Sequence, residues 1–487
     1  MKSFNDNNSK STRKKAHNKY LLRFGFGLLN TMIGTCMFYI VWFKFVADHN
    51  QTGHLTGQGN LGMAIGIYFV LLAIIMQWMG AYKVGFSRRM NLIASVVLSF
   101  LLVDFIETFI SVAIVGQFRW YWLFFGEYVI LFLFQSVVVG LIAGFELNLY
   151  KKIIPPLTLI EVYGDKADPT NSLFEKFKIL PYKYDIQKKV LCPEDMTGLI
   201  AEFKNYDAVL VNDLPDEQEN TLIKICFQMD KRIYYVPKIS DVLKSHSDYI
   251  NLFDTPVYLK RNNGVPKVEL FFKRFFDVFF SGLALVVLSP IFAVVAIAIK
   301  VEDGGPVFYR QERVTIGGRH FWILKFRSMI VDAEKDGRSH PAGEKDDRIT
   351  KVGHVIRMIR VDELPQLVNI LKGDMSIIGP RPERVEHVEK YMAEIPEFRF
   401  REKVRGGLSG YAQVYGIYNT TALDKLKMDL IYINNYSLLL DVQLVFETFK
   451  ILFQKESTEG FSEDQQKEIM DNSQTDKNTE KTLDMYQ

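Results

Sequence analysis

Four long apolar stretches near the start of the chain constrain its fold more than any other feature. They occupy residues 24–46, 62–81, 91–115 and 121–147 of the 487-residue sequence. Each approaches the roughly 20 residues that a helix needs to cross the hydrocarbon core of a bilayer. Overall composition conceals them, because hydrophobic residues make up only 48% of the chain. We therefore predict a membrane α-helical N-terminal bundle over residues 21–150, preceded by a disordered basic N-terminus at 1–20.

The loops between these stretches differ in positive charge, and this difference predicts the orientation of the bundle. Lys and Arg occur before the first stretch, between the second and third, and just after the fourth, whereas the loop at 47–61 has none. Basic loops stay on the cytoplasmic side, so the N-terminus and the chain from residue 151 onward are expected there. A transporter would need polar residues in mid-span, and we expect few of them here.

Residues 151–262 predict a small soluble α/β domain, Rossmann-like, on the cytoplasmic side. Short apolar runs predict strands at 157–163, 208–211 and 232–236. A helical segment at 218–229 separates the last two runs, an alternation typical of a parallel sheet. The first run is followed by one glycine, Gly164, where a dinucleotide-binding fingerprint has three. A structural or regulatory role is therefore favoured over cofactor binding.

A further apolar stretch, at 275–299, is interrupted by Ser289 and Pro290. Proline removes a backbone donor and kinks or breaks a helix, and the Ser289 hydroxyl could help to satisfy the break. Basic residues flank both ends of the stretch, which places both ends in the cytoplasm. We therefore predict a re-entrant membrane helix that dips into one leaflet and returns. A plain fifth span and a buried core helix are the alternatives.

Two adjacent acids, Asp362 and Glu363, precede Pro365, where a helix is predicted to begin because proline is tolerated in a first turn. Basic residues surround the acids in sequence: Arg348, Lys351, Arg357, Arg360 and Lys372. A helix start with arginines nearby suits a phosphate. A carboxylate in such a field stays ionised, can attack phosphorus and can hold a divalent cation. By themselves, the two acids would also fit an ordinary acidic helix start.

Three neighbouring segments could complete a phosphate site. Pro380 and Pro382 hold Arg381 in an extended, rigid conformation, which suits bidentate contact with phosphate; a structural turn is the alternative. Residues 321–329 predict a strand that ends in basic and hydroxyl groups, and residues 406–413 predict a glycine-rich turn. None of these segments is decisive alone.

The order of these motifs resembles the bacterial sugar transferase family, the polyprenyl-phosphate sugar-1-phosphate transferases with one re-entrant membrane helix. The resemblance covers about 270–453 and rests on Ser289-Pro290 and on residues 325–329, 362–367, 372–376, 379–382 and 407–413. The spans and α/β domain upstream look like the long members of that family, which initiate capsule or exopolysaccharide repeat units. Two departures are mild: Tyr411 replaces the usual Trp, and Arg360-Val361 replaces a Ser-Leu type pair.

The resemblance implies transfer of a sugar-1-phosphate from a UDP-sugar to polyprenyl (undecaprenyl) phosphate, with release of UMP. It assigns the nucleophile to Asp362, which would form a phosphosugar-aspartyl intermediate, and it assigns Mg²⁺ to Asp362 and Glu363. The residues matched to substrate binding are Arg357, Arg381, Lys325, Arg327 and Gln366. The role of Glu363, as metal ligand or in proton transfer, stays open, and so does the sugar.

The resemblance also implies a mixed, mainly α catalytic domain over 267–455, with the re-entrant helix at 275–299. A polar tail at 456–487 is predicted to be disordered. The protein is expected in the inner (cytoplasmic) membrane as a multi-pass protein whose active site faces the cytoplasm. A homo-oligomer and contacts with other polysaccharide-assembly proteins are compatible with the family. A net charge of +3 gives no reason to expect nucleic acid.

Two other classes compete with this interpretation. Membrane-anchored nucleotide-sugar dehydratases and epimerases also join spans to an α/β domain. They need a glycine-rich fingerprint and a Tyr-x-x-x-Lys pair; Tyr184 and Lys188 have that spacing, but the glycines are missing. A catalytically inactive scaffold would be expected to lose Asp362, which this chain retains.

Overall fold

The computed structural model describes residues 6–46, 58–86, 88–164, 173, 177, 180–261, 265–331, 333, 348–416 and 420–452. Contacts divide the chain into two compact units, the first ending at Val236 and the second beginning at Pro237. Each unit has hydrophobic clusters of its own. The predicted domain boundaries near residues 150, 262 and 455 stay predictions.

The first unit begins with four helices that cover most of the apolar stretches, and the first of them starts at Asp6, within the segment 1–20 that was predicted to be disordered. They are α1 (Asp6–Val41, continued by a π-helical turn, Trp42–Val46), α2 (Gln58–Trp78), α3 (Arg89–Val115) and α4 (Tyr121–Ile153). Three described segments are long and apolar enough to cross a membrane: Lys19–Lys44, Arg89–Val115 and Phe118–Ile153. The described apolar part of α2, Gly62–Trp78, is shorter. The chain is a membrane protein, and the number and orientation of its passes stay predictions.

Buried polar groups connect the helices of this bundle. Tyr68 donates a hydrogen bond to Asp104 (2.9 Å) and accepts one from Gln135 (3.0 Å), and Asn30 donates to Glu146 (2.8 Å). All five side chains are at most 2% exposed. Hydrogen bonds between helices compensate for the burial of polar groups, so these contacts link all four helices. The expectation of few polar residues in the spans is therefore wrong.

A four-stranded parallel sheet follows the bundle. Its elements are β1 (Leu157–Tyr163), β2 (Tyr184–Leu191), α5 (Thr197–Glu202), β3 (Ala208–Asn212), α6 (Asp216–Gln228) and β4 (Arg232–Tyr235). The strand order is β2-β1-β3-β4. The three predicted strands and the predicted helix are confirmed. The sequence did not predict β2, because an edge strand with exposed polar residues in its middle lacks the apolar run that marks a buried strand.

The second unit is mixed α/β. Its elements are α7 (Ile239–Lys244), β5 (Asp248–Leu252), β6 (Thr255–Leu259), α8 (Lys267–Val287), α9 (Ser289–Asp303), β7 (Phe308–Val314), β8 (His320–Phe326), α10 (Lys351–Met358), α11 (Gln366–Lys372), β9 (Met375–Ile378), α12 (Val385–Glu394), β10 (Gly406–Ser409), α13 (Tyr411–Tyr415), α14 (Ala422–Asn434) and α15 (Leu438–Leu452). The described strands pair in twos, β5 with β6 and β7 with β8 antiparallel, and β9 with β10 parallel.

Helices α8 and α9 form the broken apolar segment. Their axes bend by 60°, as in a broken span or a re-entrant loop. Pro290 lies in the first turn of α9, where its missing N–H costs no hydrogen bond. The Ser289 hydroxyl donates to the carbonyl of Val286 (2.7 Å). Whether the segment re-enters one leaflet stays a prediction.

Polar side chains fasten α8 to the rest of the second unit. Lys273 forms a 2.6 Å ion pair with Asp441 of α15. Arg274 donates to two carbonyls in the last turns of α11 (2.5 and 2.7 Å). The buried Asp277 accepts hydrogen bonds from a hydroxyl and an amide of β9 (3.1 and 2.9 Å). The apolar helix is therefore attached directly to α11 and β9.

The glycine-rich segment at 406–413 is only partly the predicted turn. Gly406–Ser409 form strand β10, which pairs with β9. The two backbones lie so close that a Cβ at Gly407 would overlap the backbone of Gly379. The glycines therefore serve the close approach of two chain segments, and the prediction of a turn over the whole segment is wrong.

Candidate active site

Asp362 and Glu363 lie in one 3₁₀ turn, Val361–Glu363, between α10 and α11. The chain enters this turn through Arg360, whose φ of 55° lies in the left-handed region, uncommon for a residue with a side chain. Pro365 caps α11, so the helix begins at Gln366, after the acids rather than at them. The left-handed residue redirects the chain at the end of α10 and thereby presents the two acids.

Glu363 is held between two cations. Its Oε1 accepts hydrogen bonds from Lys325 Nζ of β8 (2.9 Å) and from Arg381 Nη2 of the loop after β9 (2.7 Å). Burial alone would raise the pKa of Glu363, but Arg381 and Lys325 hold that pKa well below its usual range. Glu363 is therefore an ionised group that fixes the positions of Lys325 and Arg381.

Asp362 has a different environment from its neighbour. Among the residues that the structure describes, no group donates a hydrogen bond to its carboxylate. Burial and the charge of Glu363 raise the pKa of Asp362 to about 6, against the charges of Lys325, Arg357 and Arg381. A carboxylate without donors keeps its oxygen lone pairs available, so Asp362 is the acid that can form a new bond.

The loop that carries Arg381 is supported by a buried ionic network. Arg401 donates to the Arg381 carbonyl (2.9 Å) and pairs with the buried Asp429 (2.7 Å). Glu383 faces Lys425 (3.2 Å) and Arg401 (3.9 Å). Burial would raise the pKa of Glu383, but Arg401 and Lys425 lower it. The conformation of Arg381 therefore depends on these buried ion pairs as well as on its two flanking prolines.

A small cleft next to Glu363 is lined by Lys325, Gln366, Arg381 and a fourth polar residue, Arg313. Gln366 is 2% exposed, and its amide nitrogen has no hydrogen-bond partner in the described part of the chain. An unpartnered buried donor is costly, so the amide nitrogen of Gln366 is a candidate contact for a ligand oxygen.

Arg313 is a functional candidate that the sequence analysis did not single out. It donates to the Pro382 carbonyl (3.1 Å) and to the Gln311 side chain (2.5 Å), but its Nε is buried without a partner. No described carboxylate forms an ion pair with it. Burial, followed by the charge of Arg381, lowers the pKa of Arg313 to about 10. Strand alternation was the available signal, since Gln311 and Arg313 face inward while Arg310 and Glu312 are exposed.

The other two predicted substrate-binding residues have different positions. Arg357 ends α10, and its charge acts on Asp362. Arg327 follows β8 and forms an ion pair with Asp303 at the end of α9. A Cβ at Gly305 would overlap the Arg327 guanidinium. The contacts of Arg327 therefore involve the end of the broken helix rather than the two acids.

The donor set fits Mg²⁺ only if the substrate brings further ligands. Among the described residues, no group of three or more His, Cys, Asp or Glu side chains could hold a metal. Mg²⁺ commonly binds one or two carboxylates together with substrate phosphates and water. Asp362 and Glu363 supply such oxygens, and Oε1 of Glu363 is already engaged by two cations. Asp362 is therefore the better candidate ligand.

A broken apolar helix attached to a carboxylate site lined with cations is the arrangement expected of a membrane protein that handles phosphates. Comparison with known proteins agrees: residues 268–455 match the family described as Bacterial sugar transferase. The chain belongs to this family. Over 213 residues (42% of this chain, 79% of the relative), it is 37% identical to the UDP-glucose:undecaprenyl-phosphate glucose-1-phosphate transferase of Caulobacter vibrioides.

Two more relatives show similar identity. Over 190 residues (36% of this chain, 83% of the relative), the chain is 39% identical to the exopolysaccharide production protein ExoY of Sinorhizobium fredii. Over 262 residues (51% of this chain, 59% of the relative), it is 39% identical to the UDP-N-acetylgalactosamine-undecaprenyl-phosphate N-acetylgalactosaminephosphotransferase of Aeromonas hydrophila. The chain spans about half the length of the longer relatives that it matches, for example 47% of the UDP-glucose:undecaprenyl-phosphate glucose-1-phosphate transferase of Klebsiella pneumoniae.

Proposed function

We propose that this protein transfers a sugar-1-phosphate from a UDP-sugar to polyprenyl phosphate and releases UMP, the initiating step of exopolysaccharide or capsule repeat-unit synthesis. The observation that carries the proposal is the contrast between two adjacent acids. Glu363 is held by two cations, whereas no described residue donates a hydrogen bond to Asp362, which lies beside the same cations. A nucleophilic carboxylate needs a free oxygen, and a diphosphate needs positive charge around it. The names of the relatives include UDP-sugars and undecaprenyl phosphate.

In the first step, an Asp362 oxygen attacks the sugar-bearing phosphorus of the UDP-sugar. The new P–O bond forms while the bond from this phosphorus to the bridging oxygen breaks, and UMP leaves with the electron pair. The product on the protein is a phosphosugar-aspartyl intermediate. No proton moves, because the attacking carboxylate is ionised. Arg357, Arg381 and Lys325 stabilise the negative charge that develops on the phosphoryl oxygens.

In the second step, a phosphate oxygen of the polyprenyl phosphate attacks the same phosphorus. The bond from Asp362 to phosphorus breaks, the carboxylate is regenerated, and polyprenyl-diphospho-sugar is released. Because UMP leaves before the lipid phosphate attacks the covalent intermediate, the reaction should show ping-pong kinetics. We assign the Nε of Arg313 and the amide nitrogen of Gln366 to diphosphate oxygens, because both are buried donors without a partner in the cleft.

Mg²⁺ would be held mainly by Asp362, with Glu363 contributing, and would neutralise diphosphate charge. Every other function named above belongs to side chains of the protein. Glu363 holds Lys325 and Arg381 in place, and the buried network around Arg401 keeps Arg381 extended. Arg327 acts indirectly, by fixing the end of the broken helix through Asp303.

The apolar surface of α8 supports a membrane position for this chemistry. Phe275, Phe279 and Leu283 are exposed along the helix, as expected for side chains that contact lipid. In our proposal the bent pair re-enters the cytoplasmic leaflet of the inner membrane and brings the lipid phosphate to the acids. A Val301→Cys variant without the native cysteines should react with an impermeant thiol reagent only from the cytoplasmic side. Labelling from the outside would refute re-entrance.

The competing dehydratase or epimerase activity lacks its catalytic pair. Tyr184 and Lys188 both lie on β2, and four residues of strand separate them by about 13 Å. Lys188 forms an exposed ion pair with Glu202 (2.8 Å). These two residues therefore cannot act together on one substrate atom.

The direct test is UMP release from UDP-glucose, UDP-galactose, UDP-N-acetylglucosamine and UDP-N-acetylgalactosamine by membranes that contain the full chain. We expect one or more of these sugars to support release, and Asp362→Asn to abolish it. Without lipid acceptor, radiolabelled sugar should stay on the denatured wild-type protein and be absent from the variant. Glu312→Gln, which removes an exposed acid paired with His320, is the control. Near-normal turnover by Asp362→Asn would refute the nucleophile assignment.

A further inference from the structure

We propose that a basic cluster at one end of the helical bundle binds the phosphate group of an anion. The basic cluster consists of Lys19, Arg23, Lys183 and Arg232, and the charges of the other three act on Lys19. Lys19 and Arg23 belong to α1, Lys183 precedes β2, and Arg232 begins β4. All four lie in the first unit, and none of them belongs to the carboxylate site.

Arg23 defines the end of the bundle at which the basic cluster lies. Its Nε donates to the carbonyl of Val84 in the turn after α2 (2.8 Å), and its Nη2 donates to the Tyr150 hydroxyl of α4 (2.8 Å). The residue is 8% exposed. The beginning of the apolar span in α1 (Lys19–Lys44), the turn after α2 and the end of α4 therefore meet around one buried guanidinium.

Two of the cations, Arg23 and Lys183, lie close to the ring of Phe86. The Arg23 guanidinium lies 4.4 Å from the centroid of the Phe86 ring, and Lys183 Nζ lies 4.0 Å from the same centroid. Lys183 Nζ also lies 4.6 Å from the centroid of the Tyr184 ring. Cation–π contacts attract a positive charge but do not neutralise it. Arg23 and Lys183 are therefore held together with their charges uncompensated.

Few of the described carboxylates lie near the basic cluster. In the described part of the chain, no carboxylate forms an ion pair with Lys19, Lys183 or Arg232. Among the described residues, the acid that acts on Lys19 is Asp207. Oδ2 of Asp207 accepts hydrogen bonds from the backbone and side chain of Thr158 (both 3.2 Å). The acid is therefore already engaged elsewhere.

Crowding of the cations has a measurable consequence at Lys183. Burial, followed by the charge of Arg23, lowers the pKa of Lys183 to about 8. Partly buried cations that repel one another are stabilised when an anion enters between them. A phosphate group fits, because lysine and arginine both bind its oxygens by charge-assisted hydrogen bonds.

The position of the basic cluster favours a phospholipid as the source of this phosphate. The residues lie where spanning helices end, which is the level of lipid headgroups, and basic pockets between helices bind anionic lipids there. Tyr20 and Phe24, next to Lys19 and Arg23 on α1, are exposed apolar side chains suited to acyl chains. A soluble phosphate compound shares the headgroup chemistry, so the experiment must separate the two sources.

The test measures binding to the detergent-solubilised full chain by native mass spectrometry and by the shift in its thermal unfolding midpoint. The probes are phosphatidylglycerol, phosphatidylcholine and sodium phosphate. Lys19→Gln/Lys183→Gln is compared with Lys188→Gln/Lys189→Gln, which removes the same charge from exposed positions of β2. We expect the first variant to bind phosphatidylglycerol about 25-fold more weakly than wild type, about fivefold for each lysine. The second variant should stay within about twofold of wild type.

A charge-preserving variant and a milder one separate binding from folding. Lys19→Arg/Lys183→Arg should keep the wild-type affinity, because it keeps both charges. If the double glutamine variant does not fold, Lys183→Gln alone gives the same comparison with about a fivefold effect. Saturable binding of sodium phosphate that the glutamine substitutions weaken equally would identify a soluble source, and binding of phosphatidylglycerol alone would identify the lipid.

Two results would overturn the proposal. One is a folded Lys19→Gln/Lys183→Gln protein that binds phosphatidylglycerol and sodium phosphate as tightly as the Lys188→Gln/Lys189→Gln control. The other is a wild-type protein that binds phosphatidylcholine as tightly as phosphatidylglycerol, because the cluster would then not recognise an anion.

Discussion

The two units of this protein both contain a group of partly buried cations, and they compensate the positive charge in different ways. In the second unit, Lys325 and Arg381 share the carboxylate of Glu363 at 2.9 and 2.7 Å. In the first unit, Lys183 contacts two aromatic rings and no described carboxylate. An ion pair neutralises a cation within the protein, whereas a ring only holds it.

This difference indicates what each group is built to do. Glu363 with Lys325 and Arg381, here called the Glu363 clamp, fixes the two cations before substrate arrives. It leaves Asp362 without a hydrogen-bond donor among the described residues, and so available for chemistry. In the basic cluster, no described carboxylate forms an ion pair with Lys19, Lys183 or Arg232, so its stability depends on what binds there. Removing a charge should therefore damage the first arrangement and relieve the second, and the following predictions test this contrast.

Loss of the Glu363 charge has the largest expected effect. Glu363→Gln leaves the partly buried Lys325 and Arg381 without this counterion, which should lower the free energy of unfolding by about 2 kcal/mol. The rate of UMP release should fall at least about a hundredfold, because the cations lose their positions. Urea unfolding of the full chain in detergent and a UMP assay measure the two effects.

The control for this variant is Glu312→Gln on β7. Glu312 pairs with His320 (3.1 Å) at an exposed position, and exposed pairs contribute little. Its unfolding free energy should stay within about 0.5 kcal/mol of wild type. Equal stability of the two variants would show that the clamp does not hold the site together.

Arg313→Gln tests the cleft residue that lacks an ion pair. A hydrogen bond from a cation to a substrate phosphate contributes about 1.5–3 kcal/mol, so kcat/KM for the UDP-sugar should fall about 20-fold. Arg310→Gln on the exposed face of β7 is the matched control and should change little. A similar loss in both variants would indicate a general electrostatic effect instead of a contact made by Arg313.

Sequence and structure agree most closely where chemistry is local. Three of the four strands of the parallel sheet follow from neighbouring residues, and so does the choice of Asp362 and Glu363 as candidates. Strand alternation separates Gln311 and Arg313 from their exposed neighbours, but the choice of Arg313 requires the knowledge that it lines a cleft with Lys325 and Arg381, which are distant in the sequence. The basic cluster likewise joins Lys19 to Arg232, a separation that no local pattern records.

Other differences have equally specific causes. The acids lie in a 3₁₀ turn rather than in a helix because Arg360 adopts a left-handed conformation, which the residue type does not predict. Gly407 lies in strand β10, where the backbone of Gly379 approaches too closely for any side chain. This close approach depends on a distant segment and cannot be read from the local sequence. In the bundle, Asp104 and Gln135 find hydrogen-bond partners on other helices, so the spans contain polar groups that hydropathy alone disfavours.

The pH dependence of turnover tests the separate role of Asp362. Burial and Glu363 raise its pKa to about 6, and only the ionised carboxylate attacks phosphorus. The single-turnover rate of UMP release should therefore fall as the pH drops through about 6 and be about tenfold lower at pH 5 than at pH 7. Arg357→Gln should move the midpoint upward, because Arg357 favours the ionised form. A flat profile from pH 5 to pH 8 would contradict this assignment.

Removal of Lys183 should give the smallest effect and the opposite sign. Lys183→Met relieves repulsion from Arg23 and should stabilise the ligand-free chain by about 0.5 kcal/mol, a small value because the side chain is partly solvated.

The folded-state pKa of Lys183 is about 8, below its ordinary value of 10.5. The unfolded chain therefore binds more protons between these values, and wild-type stability should rise with pH across this window. Urea unfolding at pH 7 and pH 9.5, in buffer without phosphate, should show a smaller rise for Lys183→Met than for wild type. If Lys183→Met instead destabilised the chain as strongly as Lys325→Met, the two groups of cations would be equivalent and the contrast between the units would be lost.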